Sequence, residues 1–156
     1  LLPKLDRFVF PVGRLDKETS GLLIFTDDHR LGEALTNPES HVPKTYKVLV
    51  DAEPDLQAMA ALRTGLNIGR GEVTRASTVE VVRVDSDGVS LEMVIDEGKN
   101  RQIRRMVAAV GLKVLSLARV GIGSFELGAL PIGQYRRLGP REQRLLSSPP
   151  SSGYIS

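Results

Sequence analysis

Three separated stretches of the sequence contain side chains that could take part in chemistry. The first, residues 13–23, reads GRLDKETSGLL and includes a carboxylate, Asp16. The second, residues 44–47, reads KTYK, and the third, residues 97–106, reads EGKNRQIRRM. A well-placed carboxylate can support or capture developing positive charge on a substrate. The alternative for Asp16 is a loop aspartate that caps a turn or pairs with Arg14, which taken alone is the commoner role.

The third stretch opens a strongly basic segment. From Lys99 to Arg119 there are six basic residues and no acidic residue. A solvated helix face is a common fate for arginines, but such a face usually mixes charges of both signs, so this segment favours contact with RNA. Arg101 and Arg104 are three apart and share a face of the predicted helix, whereas Arg105 lies about 100° further round.

Together, the three stretches resemble the signatures of the RsuA-like family of ribosomal pseudouridine synthases. They follow the family's order within residues 9–138, and three ordered motifs make chance agreement much rarer than one would. The resemblance implies the pseudouridine synthase fold and an enzyme that flips a uridine out of RNA, detaches its uracil and rejoins the base through carbon 5. Such a site must retain the free base and exclude water, which implies a closed, partly apolar pocket.

The resemblance also implies roles for individual residues. Asp16 corresponds to the catalytic aspartate, and Arg104 to the basic residue that pairs with it and keeps it ionised, with Arg101 as the second candidate. Tyr46 corresponds to the tyrosine that stacks on the target base, although a strand tyrosine more often only packs its ring. The residues expected to bind RNA are Arg14, Lys17, Lys44, Lys99, Asn100, Arg101, Gln102 and Arg105.

The apolar pattern and the turn residues predict an α+β protein. Strands are predicted at residues 21–26, 44–50, 77–84, 89–95 and 113–118. Helices are predicted to begin at Asp27 or Asp28, at Pro54, at Asn100 and at Pro140. With a hairpin signal, Asp87-Gly88, at its centre, this order favours one large, mixed, mostly antiparallel sheet with flanking helices and a central catalytic cleft.

Length and composition exclude several classes of protein. The 156 residues suit one domain, predicted over residues 1–146, with a Ser/Pro-rich disordered tail at residues 147–156. No apolar run approaches the roughly 18 residues of a membrane span. There are no cysteines, and two histidines alone cannot hold a metal. We therefore expect a cytoplasmic monomer without metal or cofactor, whose partner is RNA and in the first instance ribosomal RNA.

The start of the sequence leaves other functions open. It has no initial methionine, no Lys-Pro strand and no small amino-terminal RNA-binding domain of the kind the family usually has. An amino-terminal part of the catalytic domain is therefore expected to be missing. A second hypothesis is a catalytically incomplete RNA-binding domain. A third, an unrelated α+β domain whose basic helix meets an acidic protein, leaves the three ordered motifs unexplained.

Overall fold

The computed structural model describes residues 7–148. Its strands are β1 (Phe10–Val12), β2 (Ser20–Gly21), β3 (Ile24–Thr26), β4 (Lys44–Val50), β5 (Thr78–Asp85), β6 (Gly88–Ile95), β7 (Val114–Ile122) and β8 (Phe125–Glu126). Its helices are α1 (His29–Thr36), α2 (Leu56–Thr64), α3 (Gln102–Ala109) and α4 (Pro140–Leu145), with a 3-10 turn, Pro38–Ser40, after α1. None of these helices is long and apolar enough to cross a membrane.

One sheet organises the chain. Its strands lie in the order β2-β7-β4-β6-β5, and β8 is added to β7. Every neighbouring pair is antiparallel except β2 with β7, which run parallel. The predicted mixed, mostly antiparallel sheet is therefore confirmed. Strands β1 and β3 form a separate antiparallel pair.

The main core lies between one face of this sheet and helices α2 and α3. Strand β6 follows the period of two expected of a strand with one buried face, and its buried residues are Val89, Leu91, Met93 and Ile95. Val48 and Val50 of β4 join this cluster, and Tyr46 packs at its margin, as the predicted face requires. Helix α2 adds Met59 and Leu62. The sheet face that buries these residues also bears Tyr46.

A second, smaller core is separate from the main one. It joins residues from β1, β3, α1 and β8 with Leu146, which directly follows α4. Helix α1 is capped as predicted, because the Asp28 carboxylate accepts hydrogen bonds from the backbone N–H groups of Arg30 and Leu31. The loop that contains Asp16 leaves β1 in this second core and enters β2 on the main sheet. Val12 and Leu22, on either side of the loop, both belong to the second core, and the pairing of β2 with β7 also ties the loop to the main sheet.

Two predicted helix starts need correction. Asn100 does not cap α3: the capping position is Arg101, which has a left-handed backbone (φ 49°) and no capping side chain. Instead, the side-chain oxygen of Gln102 accepts a hydrogen bond from the Lys99 N–H at 3.0 Å. Pro54 does not open the first turn of α2 either, because it precedes the cap, Asp55. In both cases the capping position lies one residue after the sequence signal.

The strand predicted over residues 21–26 is divided in two. Its first part, β2, pairs with β7, whereas its second part, β3, pairs with β1. The chain therefore passes from the main sheet to the small one at Leu22, and a single apolar run serves both. At the other end of the chain, Ser147 and Ser148 form a turn after α4, and residues 149–156 of the predicted tail lie outside the described residues.

Helix α2 offers a direct check on which face is buried. Leu62 is 0% exposed and Leu56 on the same helix is 91% exposed. We expect Leu62→Ala to lower the free energy of unfolding by about 2–5 kcal/mol, because it leaves a cavity in the main core. The same change at Leu56 should cost less than about 0.5 kcal/mol. Urea denaturation followed by circular dichroism measures both, and equal losses would contradict this placement of the helix.

Candidate active site

A cavity of about 370 Å³ opens where the Asp16 loop, the start of β4 and the start of α3 meet. Nine of the eleven predicted site residues line it: Arg14, Asp16, Lys44, Tyr46, Lys99, Asn100, Arg101, Gln102 and Arg104. The three sequence stretches are thus brought to one place. A second cavity of about 230 Å³, lined by Thr45 and Lys47 among others, contains none of the predicted residues.

Close backbone packing holds the Asp16 loop against the sheet. The Thr19 N–H donates to the Asp16 carbonyl at 2.9 Å, which closes a turn directly after the carboxylate. Gly21 has φ +112°, and a Cβ there would overlap the carbonyl of Arg119 on β7. Only glycine permits this approach without strain. The sequence therefore needs a glycine at position 21 to seat the end of the loop.

Arg119 fastens the same junction with its side chain. It is 7% exposed, and its Nε and Nη2 atoms donate to the Leu22 carbonyl at 3.0 and 2.8 Å. In the sheet register it stands opposite Tyr46. Sequence reasoning counted Arg119 only as one of six basic residues and missed this role. The signal that could have found it is its position inside an apolar β7, where a buried arginine must have partners.

The predicted direct pair between Asp16 and Arg104 is not formed. Arg104 lines the same cavity, but its Nη2 donates to the backbone carbonyl of Glu18 at 3.0 Å, and its Nη1 lies 3.8 Å from the Glu18 carboxylate. Within residues 7–148, Asp16 has no ion-pair partner. The reason is the turn after Asp16, which places the carbonyl of Glu18 over α3. Nε of Arg104 is buried and has no hydrogen-bond partner.

Glu18 stands between two arginines of the basic helix. Arg101 Nη2 lies 3.5 Å from the Glu18 carboxylate, so Arg101 and Arg104 approach the same group. They do so although Arg101, with its left-handed backbone, precedes the helix on which the two were predicted to share a face. The Glu18 side chain is 65% exposed, and an exposed pair at such distances contributes little stability, about 0–1 kcal/mol. Both arginines can therefore exchange Glu18 for another anion at small cost.

Glu97 is a buried carboxylate that sequence reasoning did not single out. It is 7% exposed and accepts hydrogen bonds from Lys99 Nζ at 2.7 Å, the Arg75 N–H at 2.6 Å and Gln102 Nε2 at 3.0 Å. Burial alone would raise the pKa of Glu97, but these hydrogen bonds outweigh it and the pKa lies below its ordinary value. Glu97 therefore stays ionised and ties the loop before α3 to the core.

The predicted RNA contacts of Gln102 and Arg105 need correction. Gln102 is 4% exposed; its Nε2 donates to Glu97 and its Oε1 accepts from the Lys99 N–H. Arg105 does not line the cavity, and its guanidinium donates to four intramolecular acceptors, including the Glu72 carboxylate at 2.9 Å. Neither side chain is free for a ligand. Lys17 also lies outside the cavity lining, on the exposed turn beyond Asp16.

Lys44 brings a positive charge to the cavity, but its surroundings disfavour the charged form. Burial lowers its pKa, and the neighbouring charge of Arg119 lowers it further, while Asp96 acts in the opposite direction. Lys44 and Tyr46 are two residues apart on β4 and therefore share a face of the strand. Both line the cavity. The cavity thus combines one unpaired carboxylate, one aromatic ring and several cations. Among residues 7–148, no group of three or more acidic or histidine side chains lies close enough together to hold a metal ion.

Comparison with known proteins decides the family. The family model described as RNA pseudouridylate synthase matches residues 2–109. The chain belongs to this family. It is 39% identical over 151 residues to the uncharacterized RNA pseudouridine synthase YtzG of Bacillus subtilis, covering 96% of this chain and 63% of the relative. It is also 39% identical over 142 residues to ribosomal large subunit pseudouridine synthase E of Xanthomonas campestris, covering 82% of this chain and 76% of the relative.

Solved structures agree with this pseudouridine synthase assignment. A crystal structure of a pseudouridylate synthase superposes with a TM-score of 0.82 at 33% identity, covering 88% of this chain and 59% of that protein. An H/ACA RNP bound to a substrate RNA containing 2'-deoxyuridine has a TM-score of 0.59 at 21% identity over 77% of this chain and 40% of that one, which shows similarity of fold alone. The predicted fold class and family resemblance are confirmed. The chain spans less than two thirds of the length of the Bacillus relative.

The lowered pKa of Glu97 predicts a pH-dependent stability. Its contribution is fully present above the ordinary value of 4.5 and is lost as the pH falls through the lower folded value. We expect Glu97→Gln to lower the free energy of unfolding at pH 7 by about 1–3 kcal/mol, because three donors lose their ionised acceptor. The difference from wild type should shrink below the ordinary pKa. Urea denaturation at several pH values measures it.

The control for this prediction is Glu53→Gln, which makes the same change at an exposed position before α2. Its stability should follow wild type at every pH. A Glu97→Gln deficit that is equally large at acidic and neutral pH would contradict the claim that the ionised form is the one stabilised.

Proposed function

We propose that this chain isomerises a uridine in RNA to pseudouridine in the cavity lined by Asp16, Tyr46 and Arg104. The proposal rests on the convergence of these three side chains in one cavity, in a chain that belongs to the RNA pseudouridine synthase family. Several relatives are named as ribosomal large or small subunit pseudouridine synthases, so ribosomal RNA is the substrate class we propose. The catalytic domain comprises residues 1–146, acting as a monomer in the cytoplasm.

Asp16 supplies the essential carboxylate. The bond between the ribose and N1 of uracil breaks with its electron pair moving to the base, and the carboxylate stabilises or captures the positive charge left on the sugar. The base then turns, its carbon 5 bonds to the sugar carbon, and the proton displaced from carbon 5 is balanced by one gained at N1. The absence of an ion-pair partner among the described residues leaves Asp16 available to the substrate. No electrons are exchanged with another molecule, so the reaction needs no redox cofactor.

Tyr46 binds the flipped base. Its ring packs at the margin of the main core and also faces the cavity, which suits an aromatic that must be rigid and yet reachable. Stacking on an extruded base is a common use of such a side chain. Ile95, Ile103 and Leu117 supply the apolar part of the lining. They limit the water that could attack the sugar while the base is detached.

RNA binding brings Arg104 to Asp16. In the RNA-free chain Arg104 has one hydrogen bond to the Glu18 carbonyl, a long ion pair with the exposed Glu18 carboxylate and one unsatisfied N–H, so it gives up one backbone hydrogen bond and a weak ion pair when it moves. Once a nucleotide fills the cavity and water leaves, a carboxylate and a guanidinium attract each other more strongly. Arg14, Lys17, Lys44, Asn100 and Arg101 bind the surrounding RNA. Of the predicted RNA ligands, Lys99, Gln102 and Arg105 are left out because their side chains are occupied by contacts within the protein.

The role of Asp16 is tested by Asp16→Asn. We expect turnover to fall by about 10³-fold or more, because the amide can neither capture nor neutralise the cationic sugar. Tritium release from RNA labelled at carbon 5 of uridine measures it. Asp87→Asn, the same change in an exposed hairpin turn, should behave as wild type. Turnover retained by Asp16→Asn would refute the assignment, and a wild-type chain that binds RNA without product would favour the RNA-binding alternative.

The role of Arg104 is tested by comparing a change at Arg104 with a change at Glu18, its partner in the RNA-free chain. We expect Arg104→Gln to reduce kcat by roughly 10–100-fold, the equivalent of one charge-assisted hydrogen bond. Glu18→Gln should change kcat by less than about threefold, because Glu18 holds the guanidinium only until RNA binds. Single-turnover kinetics at saturating RNA separate these effects from affinity. Equal losses in the two variants would mean that the ion pair with the Glu18 carboxylate is itself the functional contact.

A further inference from the structure

A short hairpin at residues 67–73 stands beside the cavity and has no part in the proposed function so far. Asn67 and Val73 form an isolated antiparallel bridge at its base. Inside it, the Ile68 N–H donates to the Glu72 carbonyl, and the Glu72 N–H donates to the Gly69 carbonyl, both at 3.0 Å. These two hydrogen bonds close a tight turn. Its tip is a single arginine, Arg70, between two glycines.

The tip has an unusual backbone conformation. Gly69, Arg70 and Gly71 all have positive φ, at 89°, 58° and 72°. Glycines adopt such angles freely, whereas a side chain of arginine's size rarely does so. Residues kept in sparsely populated conformations are concentrated at functional sites. In the described part of the chain the Arg70 side chain has no ion-pair partner, because the acid of the same hairpin, Glu72, pairs with Arg105.

Arg105 fixes this hairpin to the rim of the cavity. Its Nε and Nη2 donate to the carbonyls of Ile68 and Gly69 at 3.2 and 3.1 Å, and Nη2 also donates to Glu72 at 2.9 Å. Its Nη1 donates to the carbonyl of Asn100, a cavity-lining residue, at 2.9 Å. A single guanidinium therefore spans the gap between the hairpin and the cavity rim. Its side chain is 16% exposed, so these contacts are largely sheltered from solvent.

We infer that Arg70 binds a backbone phosphate of the RNA strand next to the nucleotide in the cavity, and that Arg105 is a positioning residue which places Arg70 there. The inference rests on the proposed function. An exposed arginine on a rigid turn at the rim suits a phosphate, because phosphate contacts set the register of RNA while the base enters its pocket. The hydrogen bonds that Arg105 donates to Ile68, Gly69 and Glu72 hold the hairpin backbone in place, so less backbone freedom is lost when Arg70 binds.

The test of Arg70 uses a fluorescein-labelled RNA stem-loop with uridines in its loop, titrated with the full chain at several salt concentrations. We expect Arg70→Ala to weaken binding about 3–10-fold at low salt and to reduce the slope of log K against log salt by about 0.7, the value for one single-strand phosphate. Arg70→Lys should retain the slope. In turnover, KM should rise much more than kcat falls.

The matched control is Arg30→Ala, which removes one exposed arginine from α1, outside the cavity lining. If Arg70→Ala and Arg30→Ala give the same affinity and slope, Arg70 is not a phosphate ligand. Binding is measured independently of turnover, so the two proposals can fail separately. A wild-type chain that binds RNA but yields no pseudouridine refutes the proposed function, and the salt slope still decides the inference.

The positioning role of Arg105 is tested by a double-mutant cycle. Arg105→Lys keeps the charge but cannot reach all four acceptors, so we expect it to weaken RNA binding about as much as Arg70→Ala does. The two changes combined should be no worse than either alone. Hydrogen exchange should speed up at the Ile68 and Glu72 amides in Arg105→Lys but not in Arg70→Ala. Additive losses of affinity would overturn the positioning role.

Discussion

The close contact of β2 with β7 is the constraint on which the site depends. Two residues of β2 run parallel to Ala118 and Arg119, and the backbone approach requires glycine at position 21. Arg119 then holds the next carbonyl, that of Leu22, with two N–H groups. Because β7 also pairs along its length with β4, this junction sets the distance between the Asp16 loop and Tyr46. The carboxylate of the loop acquires a fixed position relative to the Tyr46 ring in this way.

The run of basic residues from Lys99 to Arg119 suggests, from sequence alone, a set of cations without acidic partners. No acid occurs between Lys99 and Arg119, yet four of its six basic residues contact acids outside the segment. One of these acids, Glu97, lies two residues before Lys99, whereas the fold brings Glu18 and Glu72 from distant parts of the chain. Glu97 pairs with Lys99, Glu18 with Arg101 and Arg104, and Glu72 with Arg105. The sheltered pairs, at Glu97 and Glu72, build the framework. At Glu18 it is the carboxylate that is exposed, so Arg101 and Arg104 can exchange it for another anion although the Arg104 side chain itself is only 15% exposed.

Most elements could be predicted because their signals are local. Strand β4 matches its predicted bounds. A hairpin forms where the Asp87-Gly88 signal predicted one, but its two turn residues are Ser86 and Asp87, because Gly88 already belongs to β6 and pairs with Asp85. The cap of α1 at Asp28 is likewise a property of a few neighbouring residues. The errors arise where distant contacts decide the outcome. The apolar run at residues 21–26 is divided because its first part pairs with β7 and its second part pairs with β1. Helix α3 starts without an Asn100 cap, and Gln102 in its first turn is buried and hydrogen-bonded to Glu97.

The residues that make up the site could be predicted from the sequence, but the contacts between them could not. Motif resemblance placed nine residues that the fold does bring to one cavity, since which residues meet follows from topology. Which of them touch depends on solvent. In a cavity open to water the attraction between Asp16 and Arg104 is weak, while the Glu18 carbonyl offers Arg104 a nearby acceptor. Under the proposed function, RNA removes that water, and the attraction between carboxylate and guanidinium grows only when the substrate that needs it is present. An arginine with an unsatisfied N–H in the free chain is the arrangement such a site requires, because a pair already formed would gain less on binding.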